Sequence, residues 1–163
     1  MIKTTDLCDE YGDAVMVVRP MFRSYGGVSN FFGPISTLQV NDDNVLVKAA
    51  LSEPGNGRVL VVDGGGSLRC ALVGDLLASI GQRNGWAGIV VHGCIRDQNV
   101  IHGIHIGVMA LATNPRRSAK QGLGARDIPV TFADVSFVPG HYLYADEDGI
   151  IVSEDNLLEP ISS

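Results

Sequence analysis

The sequence predicts an α/β fold with a central βαβ unit and a β-rich C-terminal part, over one domain spanning residues 1–163. Three observations carry this. Val59-Leu60-Val61-Val62 and Ala87-Gly88-Ile89-Val90-Val91 are continuous apolar runs, the pattern of strands buried on both faces of a parallel sheet. Between them lie Asp63-Gly64-Gly65-Gly66 and a helical stretch around Leu72 to Arg83, closed by the cap signal Asn84-Gly85. Strand, glycine loop, helix and strand make a βαβ unit, expected to cross over right-handed. Beyond residue 130 the pattern changes to short strands: Val130-Thr131-Phe132, Val135-Ser136-Phe137-Val138, Tyr142-Leu143-Tyr144-Ala145 and Ile150-Ile151-Val152. Turn signals at Ala133-Asp134, Pro139-Gly140 and Glu147-Asp148-Gly149 separate them.

The remaining elements follow in order. Thr4-Thr5-Asp6 caps a short amphipathic helix that carries Leu7, Cys8 and Tyr11 and stops at Gly12. Val15 to Val18 is a short strand, and Tyr25-Gly26-Gly27 a tight turn. Gly33-Pro34 introduces a strand with Ile35, Thr37, Leu38 and Val40. Asp42-Asp43 caps a helix from Asn44 to Leu51, ended by Pro54-Gly55-Asn56-Gly57. Gly107 to Ala112 is the third strand of the parallel part, and Arg116, Arg117, Lys120 and Arg126 form a basic cluster on the loop after Pro115.

Composition excludes several classes. Twelve Lys and Arg against 18 Asp and Glu give a net charge of −6, which disfavours direct nucleic-acid binding. A 45% hydrophobic content excludes a disordered chain. The charged fraction of 18% lies below the roughly 25% of average soluble proteins, and with a mean hydropathy of +0.18 it points to an oligomer that hides part of its surface. Cys8, Cys70 and Cys94 form no C-x-x-C, so neither a disulfide framework nor a zinc knuckle is expected, and a reducing cytoplasm is. The N-terminus has no apolar signal core, and no apolar run reaches the roughly 18 residues of a membrane helix.

Three segments could carry chemistry. Asp63-Gly64-Gly65-Gly66 follows a buried strand, where α/β sheets bind ligands; it either offers amides to an anion or is a tight turn needing positive φ. It matches neither G-x-G-x-x-G nor a P-loop, which also weakens a methyltransferase reading. Gly74-Asp75-Leu76-Leu77 opens the central helix, whose free N–H groups can hold a carboxylate. Arg96-Asp97 exits the next strand and is either a surface ion pair or part of a site. Together, Asp75, Arg96 and Asp97 could converge on a pocket that holds a hard cation and an anionic substrate and stabilises an enolate. His92, His102, His105 and His141 form no metal-binding motif and read as packing or solvated residues.

The chain resembles the ribonuclease E activity regulator A family, which includes the class II 4-hydroxy-4-methyl-2-oxoglutarate aldolases. The resemblance runs through Asp6-Leu7-Cys8-Asp9, Tyr25-Gly26-Gly27, residues 61–69, Gly85-Trp86-Ala87-Gly88, Gly93-Cys94-Ile95-Arg96-Asp97, Thr113-Asn114-Pro115 and residues 144–149. It implies a swivelling β/β/α domain assembled as a ring-shaped homotrimer, in some members a dimer of trimers, with active sites between subunits. Aldolase members carry an Asp, twenty intervening residues and then Arg-Asp; Asp75, residues 76–95 and Arg96-Asp97 reproduce that spacing. By this resemblance Asp97 holds a divalent cation, Mg²⁺ or Mn²⁺, through its carboxylate and surrounding waters. Arg96 binds the keto and carboxylate oxygens of a small α-keto dicarboxylate. The amides of Gly74, Asp75, Leu76 and Leu77 bind its carboxylate, and Asp75 helps position a water for proton transfer. The implied reaction is cleavage of 4-hydroxy-4-methyl-2-oxoglutarate to two pyruvates, with oxaloacetate decarboxylation through the same pyruvate enolate. The alternative the family implies is a non-enzymatic regulator that binds and inhibits endoribonuclease E. Two departures from the aldolase pattern are Val100, where many members carry an acid, and the lack in this sequence of the longer members' C-terminal extension bearing a glutamate; Glu147, Glu154 and Glu159 are the glutamates that could replace it.

Overall fold

The valine-rich run forms β4 (Val59–Asp63), buried along its whole length, and the sheet is organised around it. The computed structural model describes residues 1–159; residues 160–163 of the expected domain lie outside the described residues. β3 (Phe31–Gln39), β4, β6 (Gly88–Ile95) and β7 (Gly107–Thr113) run parallel in that order. The apolar runs predicted at 59–62 and 87–91 thus sit side by side, with Val61 opposite Val90.

The C-terminal part is antiparallel, as predicted. β11 (Tyr142–Asp146) and β12 (Gly149–Ser153) form a hairpin, β1 (Val15–Val17) pairs with β12, and β11 pairs with the first half of β3. β3 therefore joins the two parts: Phe31 to Pro34 pair with β11, while Ile35 to Gln39 pair with β4. β9 (Val130–Phe132) and β10 (Val135–Phe137) form a separate hairpin about Ala133 and Asp134, both at positive φ. Two short strands, β2 (Arg23–Ser24) and β8 (Ala125–Arg126), add to β7 and β3.

Alternation along β4 separates two cores. Leu60 and Val62 face the helices α2 (Val45–Leu51), α3 (Asp75–Arg83) and α4 (Gln98–Ile101), among Leu51, Leu77, Ile89 and Ile101. Val59 and Val61 face the β9–β10 hairpin and β11–β12, among Phe132, Phe137 and Leu143. The result is a β/β/α layering, the mixed α/β class expected. A third, smaller cluster of Leu7, Val15, Tyr144 and Ile151 seats α1 (Thr4–Tyr11) on the C-terminal strands. Among the described residues no helix is long and apolar enough to cross a membrane.

Three local expectations need correction. Leu72 is not helical: Ala71–Val73 is a strand, β5, parallel to β6, and the helix begins at Asp75. β3 begins at Phe31, before Gly33-Pro34. The start of α1 is fixed by Asp146, whose carboxylate accepts the Thr4 N–H at 2.8 Å and the Thr4 hydroxyl at 2.7 Å, and no side chain of the first turn caps the helix.

Candidate active site

β5 and β6 end beside each other, and both candidate segments leave from those ends. The Arg96 N–H donates to the Val73 carbonyl at 3.0 Å, which fixes the Gly74 and Arg96 exits together. Asp97 then takes left-handed backbone angles, φ 61 and ψ 40, uncommon for a non-glycine residue. This turn starts α4 and brings the carboxylate back to α3, where Asp97 Oδ2 accepts the Asp75 N–H at 3.2 Å. A carboxylate at a helix N-terminus is electrostatically favourable.

Gly74 is required by space, since its backbone is extended (φ −119, ψ −169). A Cβ there would lie 2.8 Å from Asp97 Oδ2 and 3.6 Å from Arg96 Cγ and Nε. Arg96 and Asp97 are thus laid across the first turn of α3. Asp75 Oδ1 accepts the neighbouring Leu76 N–H at 2.8 Å, and the Leu77 N–H has no partner among the described residues. Arg96 and Asp97 do not pair with each other among the described residues; Arg96 Nη1 reaches only the Pro115 carbonyl, at 3.4 Å.

All six predicted residues, Gly74, Asp75, Leu76, Leu77, Arg96 and Asp97, line one cavity of about 570 Å³. Two further walls were not predicted. One is the face of α2 that presents Val45, Lys48, Ala49 and Ser52, with Asn44 before it. The other is the loop carrying Arg117, Ser118 and Lys120. The spacing i, i+3, i+4, i+7 along α2 is the signal that could have found the first wall, because Val47, Ala50 and Leu51 bury the opposite face. Of the basic cluster after Pro115, Arg117 and Lys120 belong to the second wall, Arg116 lies outside the lining, and Arg126 pairs with Glu53 at 2.6 Å.

The donor set fits a hard divalent cation. Among the described residues no three His, Cys, Asp or Glu side chains gather to hold a metal, so a three-ligand zinc site is not built here. Mg²⁺ needs only one or two carboxylates and keeps its waters. Asp97 Oδ1 accepts no hydrogen bond among the described residues and, with Asp75 adjacent, is the oxygen available for this.

The glycine loop after β4 is a turn. Asp63 Oδ1 accepts the Gly65 N–H at 2.9 Å, and the N–H groups of Gly64 and Gly66 donate to the His92 carbonyl, each at 3.1 Å. Its amides are therefore committed, and Gly65 and Gly66 supply the positive φ (67 and 73) that the turn needs. His92 lies on the β9–β10 side, with Nδ1 3.3 Å from Asp63 Oδ1 and its ring stacked 4.4 Å from Phe132. Burial would raise the Asp63 pKa, but His92 and the Gly65 N–H outweigh it and hold it below the ordinary value. His102 ends α4 and, like His105, contributes nothing to the cavity lining.

Comparison with known proteins identifies the family. A protein from Alkalilimnicola ehrlichii named "Putative 4-hydroxy-4-methyl-2-oxoglutarate aldolase" is 54% identical over 158 residues, covering 97% of this chain and 98% of its own length. One of the same name from Aromatoleum aromaticum is 58% identical over 156 residues, covering 96% and 98%. Among solved structures, the Thermus thermophilis RNA-processing inhibitor RraA superimposes with a TM-score of 0.94 at 44% identity, over 99% of this chain and 98% of that one. A Geobacillus kaustophilus structure described as an S-adenosylmethionine:2-dimethylmenaquinone methyltransferase has a TM-score of 0.96 at 50% identity, over 99% and 100%. The RraA-like profile (aldolase/RraA) matches residues 4–152. The profile match and these identities show that the chain belongs to the RraA-like family.

Proposed function

We propose that the protein is a divalent-metal-dependent lyase that cleaves 4-hydroxy-4-methyl-2-oxoglutarate to two pyruvates and decarboxylates oxaloacetate as a side activity. The observation that carries this reading is the convergence of Asp97, Arg96 and the first turn of α3 on one cavity. The names of the relatives support it. Asp97, with Asp75 beside it, would hold Mg²⁺ or Mn²⁺, which when bound supplies an electrophile for charge developing on the 2-keto oxygen.

The chain's own residues do the rest. The free Leu77 N–H and the positive end of α3 hold the 1-carboxylate, and the Leu76 N–H joins them when Asp75 turns from it toward the water. Arg96 donates to the keto oxygen and strengthens those bonds as the oxygen becomes an enolate. The Asp75 carboxylate orients a water through which the C4 hydroxyl proton passes to that carboxylate. The C3–C4 bond then breaks, its electrons move into the enolate, and one pyruvate leaves from C4. The proton returned to C3 gives the second pyruvate. Oxaloacetate loses CO₂ from the same geometry and leaves the same enolate.

The test is pyruvate release from both substrates with MgCl₂ or MnCl₂, and with EDTA. Turnover is expected only with metal. It should be lost in Asp97→Ala and reduced by about 100- to 1,000-fold in Arg96→Ala, the effect of removing one oxyanion donor. Metal-independent turnover, or an unchanged Asp97→Ala variant, would refute the reading. Methyl transfer is a poorer reading, because the Asp63–Gly66 loop has no free amides and lies outside the cavity. A second role as a protein inhibitor of a ribonuclease is favoured by the likeness to the Thermus inhibitor and by the net charge of −6, which suits a basic partner surface. Absence of salt-sensitive binding to a purified ribonuclease E would count against it.

A further inference from the structure

The two walls of the cavity that the sequence did not point to are cationic. Lys48, Arg117 and Lys120 join Arg96 around a space whose only carboxylates among the described residues are Asp75 and Asp97. The cavity thus carries two more cations than carboxylates, inside a chain of net charge −6. Among the described residues none of these four cations forms an ion pair, although Arg19, Arg69 and Arg126 all do. Unpaired cations gathered on one concavity attract an anion.

Lys120 is held in place from several directions. Its ammonium donates to Asn44 Oδ1 at 3.1 Å, and the Asn44 amide donates in turn to the Leu72 carbonyl at 3.2 Å. The loop around it is pinned by Asp43, which is only 2% exposed. Asp43 accepts the N–H of Gln121 at 2.6 Å and of Gly122 at 3.0 Å, and also that of Val45 at the start of α2. On the other side, the Ala71 N–H donates to the Arg116 carbonyl at 2.8 Å and ties Arg117 to β5. One buried carboxylate therefore fixes the helix bearing Lys48 and the loop bearing Lys120 relative to each other.

We infer that Lys120, with Arg117 and Lys48, forms a second anion subsite that selects substrates bearing a second carboxylate. This rests on the lyase reading for the position of the first subsite. The α3 amides and Arg96 take the keto-acid end common to all 2-oxo acids, so they cannot distinguish a dicarboxylate from a monocarboxylate. The cationic wall can, because three exposed cations attract a second carboxylate and offer a methyl group in its place no comparable interaction.

The experiment compares 4-hydroxy-4-methyl-2-oxoglutarate with 4-hydroxy-4-methyl-2-oxopentanoate, which differs by a methyl in place of the second carboxylate and would yield pyruvate and acetone. In the MgCl₂-loaded enzyme, Lys120→Met is expected to lower kcat/KM for the dicarboxylate about tenfold or more and to leave that for the monocarboxylate within twofold. Lys120→Arg should restore most of the selectivity. Equal loss on both substrates, or no loss on either, overturns the proposal. Calorimetry with 2-oxoglutarate and 2-oxobutyrate separates this from failure of the lyase reading. If the wild-type protein turns over neither substrate, a tenfold weaker binding of 2-oxoglutarate alone in Lys120→Met still sustains the subsite. Unchanged or equally weakened binding of the two acids removes it.

Discussion

Replacing Gly74 with alanine tests how the site is assembled. The backbone there is extended and accepts any residue, so the substitution carries no conformational strain. Its Cβ would meet Asp97 Oδ2 at 2.8 Å, where ordinary contact begins at 3.4 Å, so the carboxylate must retreat by about 0.6 Å. The obstacle is the end of a short, exposed side chain, and it can move by giving up its 3.2 Å bond to the Asp75 N–H. Losing one solvent-exposed bond of this kind costs about 1 kcal/mol, and restricting the unfolded chain by replacing glycine returns about 0.4–1 kcal/mol. Net stability should change little, with Tm moving by less than about 4 °C. Activity should not be spared, because misplacement by ~1 Å costs on the order of 100-fold; a loss of about 10- to 100-fold in kcat/KM is expected. The assay is metal-dependent pyruvate release beside a thermal melt. Wild-type activity in Gly74→Ala, or a loss that tracks a large fall in Tm, would refute the geometry.

Two further outcomes concern the frame. Burial would raise the Asp43 pKa, but the N–H groups of Val45, Gln121, Gly122 and Leu123 outweigh it, so the folded value lies below 3.8. The stability this supplies is complete above pH 3.8 and is lost as pH falls through the folded value. Asp43→Asn should therefore lower Tm at pH 7, through a buried acceptor mismatch of about 1–3 kcal/mol, and the gap from wild type should narrow in melts taken below pH 3.8. A constant gap would contradict this. Gly107 and Gly88 form a floor under the Phe31 ring, into which a Cβ at either position would project. Gly107→Ala should destabilise by about 1–3 kcal/mol through overpacking. Phe31→Leu should relieve part of that loss in a double-mutant cycle; additive losses would show that the ring is not the obstacle.

The central strands and the spacing of the candidate site were legible because local pattern and final environment agree. Val59 to Val62 are apolar at every position and lie in a strand covered on both faces. Asp75 and Arg96-Asp97 sit at the ends of adjacent strands, so a spacing in sequence became a separation across one cavity. What escaped was decided at long range. Leu72-Val73 is too short a run to tell strand from helix by period, and only pairing with β6 settles it. Pro34 looked like a boundary, yet it falls where β3 changes partner from β11 to β4, where a missing N–H is tolerated. The cap of α1 comes from Asp146, 142 residues away. Lys48 and Lys120 became neighbours only through Asp43 and Asn44, and no local pattern announces that.

The pairing of β1 with β12 sets an order of events during synthesis. Val15 lies opposite Ser153 and Val17 opposite Ile151, while Thr4 waits for Asp146 and Tyr11 for the Leu157 carbonyl. β3, at the middle of the sheet, likewise needs β11 to complete one of its edges. A nascent chain can therefore close its parallel half once residue 113 has emerged, but β1 stays without its strand partner until residue 153 has emerged. Such distant contacts slow folding. The apolar side chains of Met16 and Val17, exposed even in the folded chain, are then a hazard of the growing chain, one that a chaperone would meet before β1 is paired.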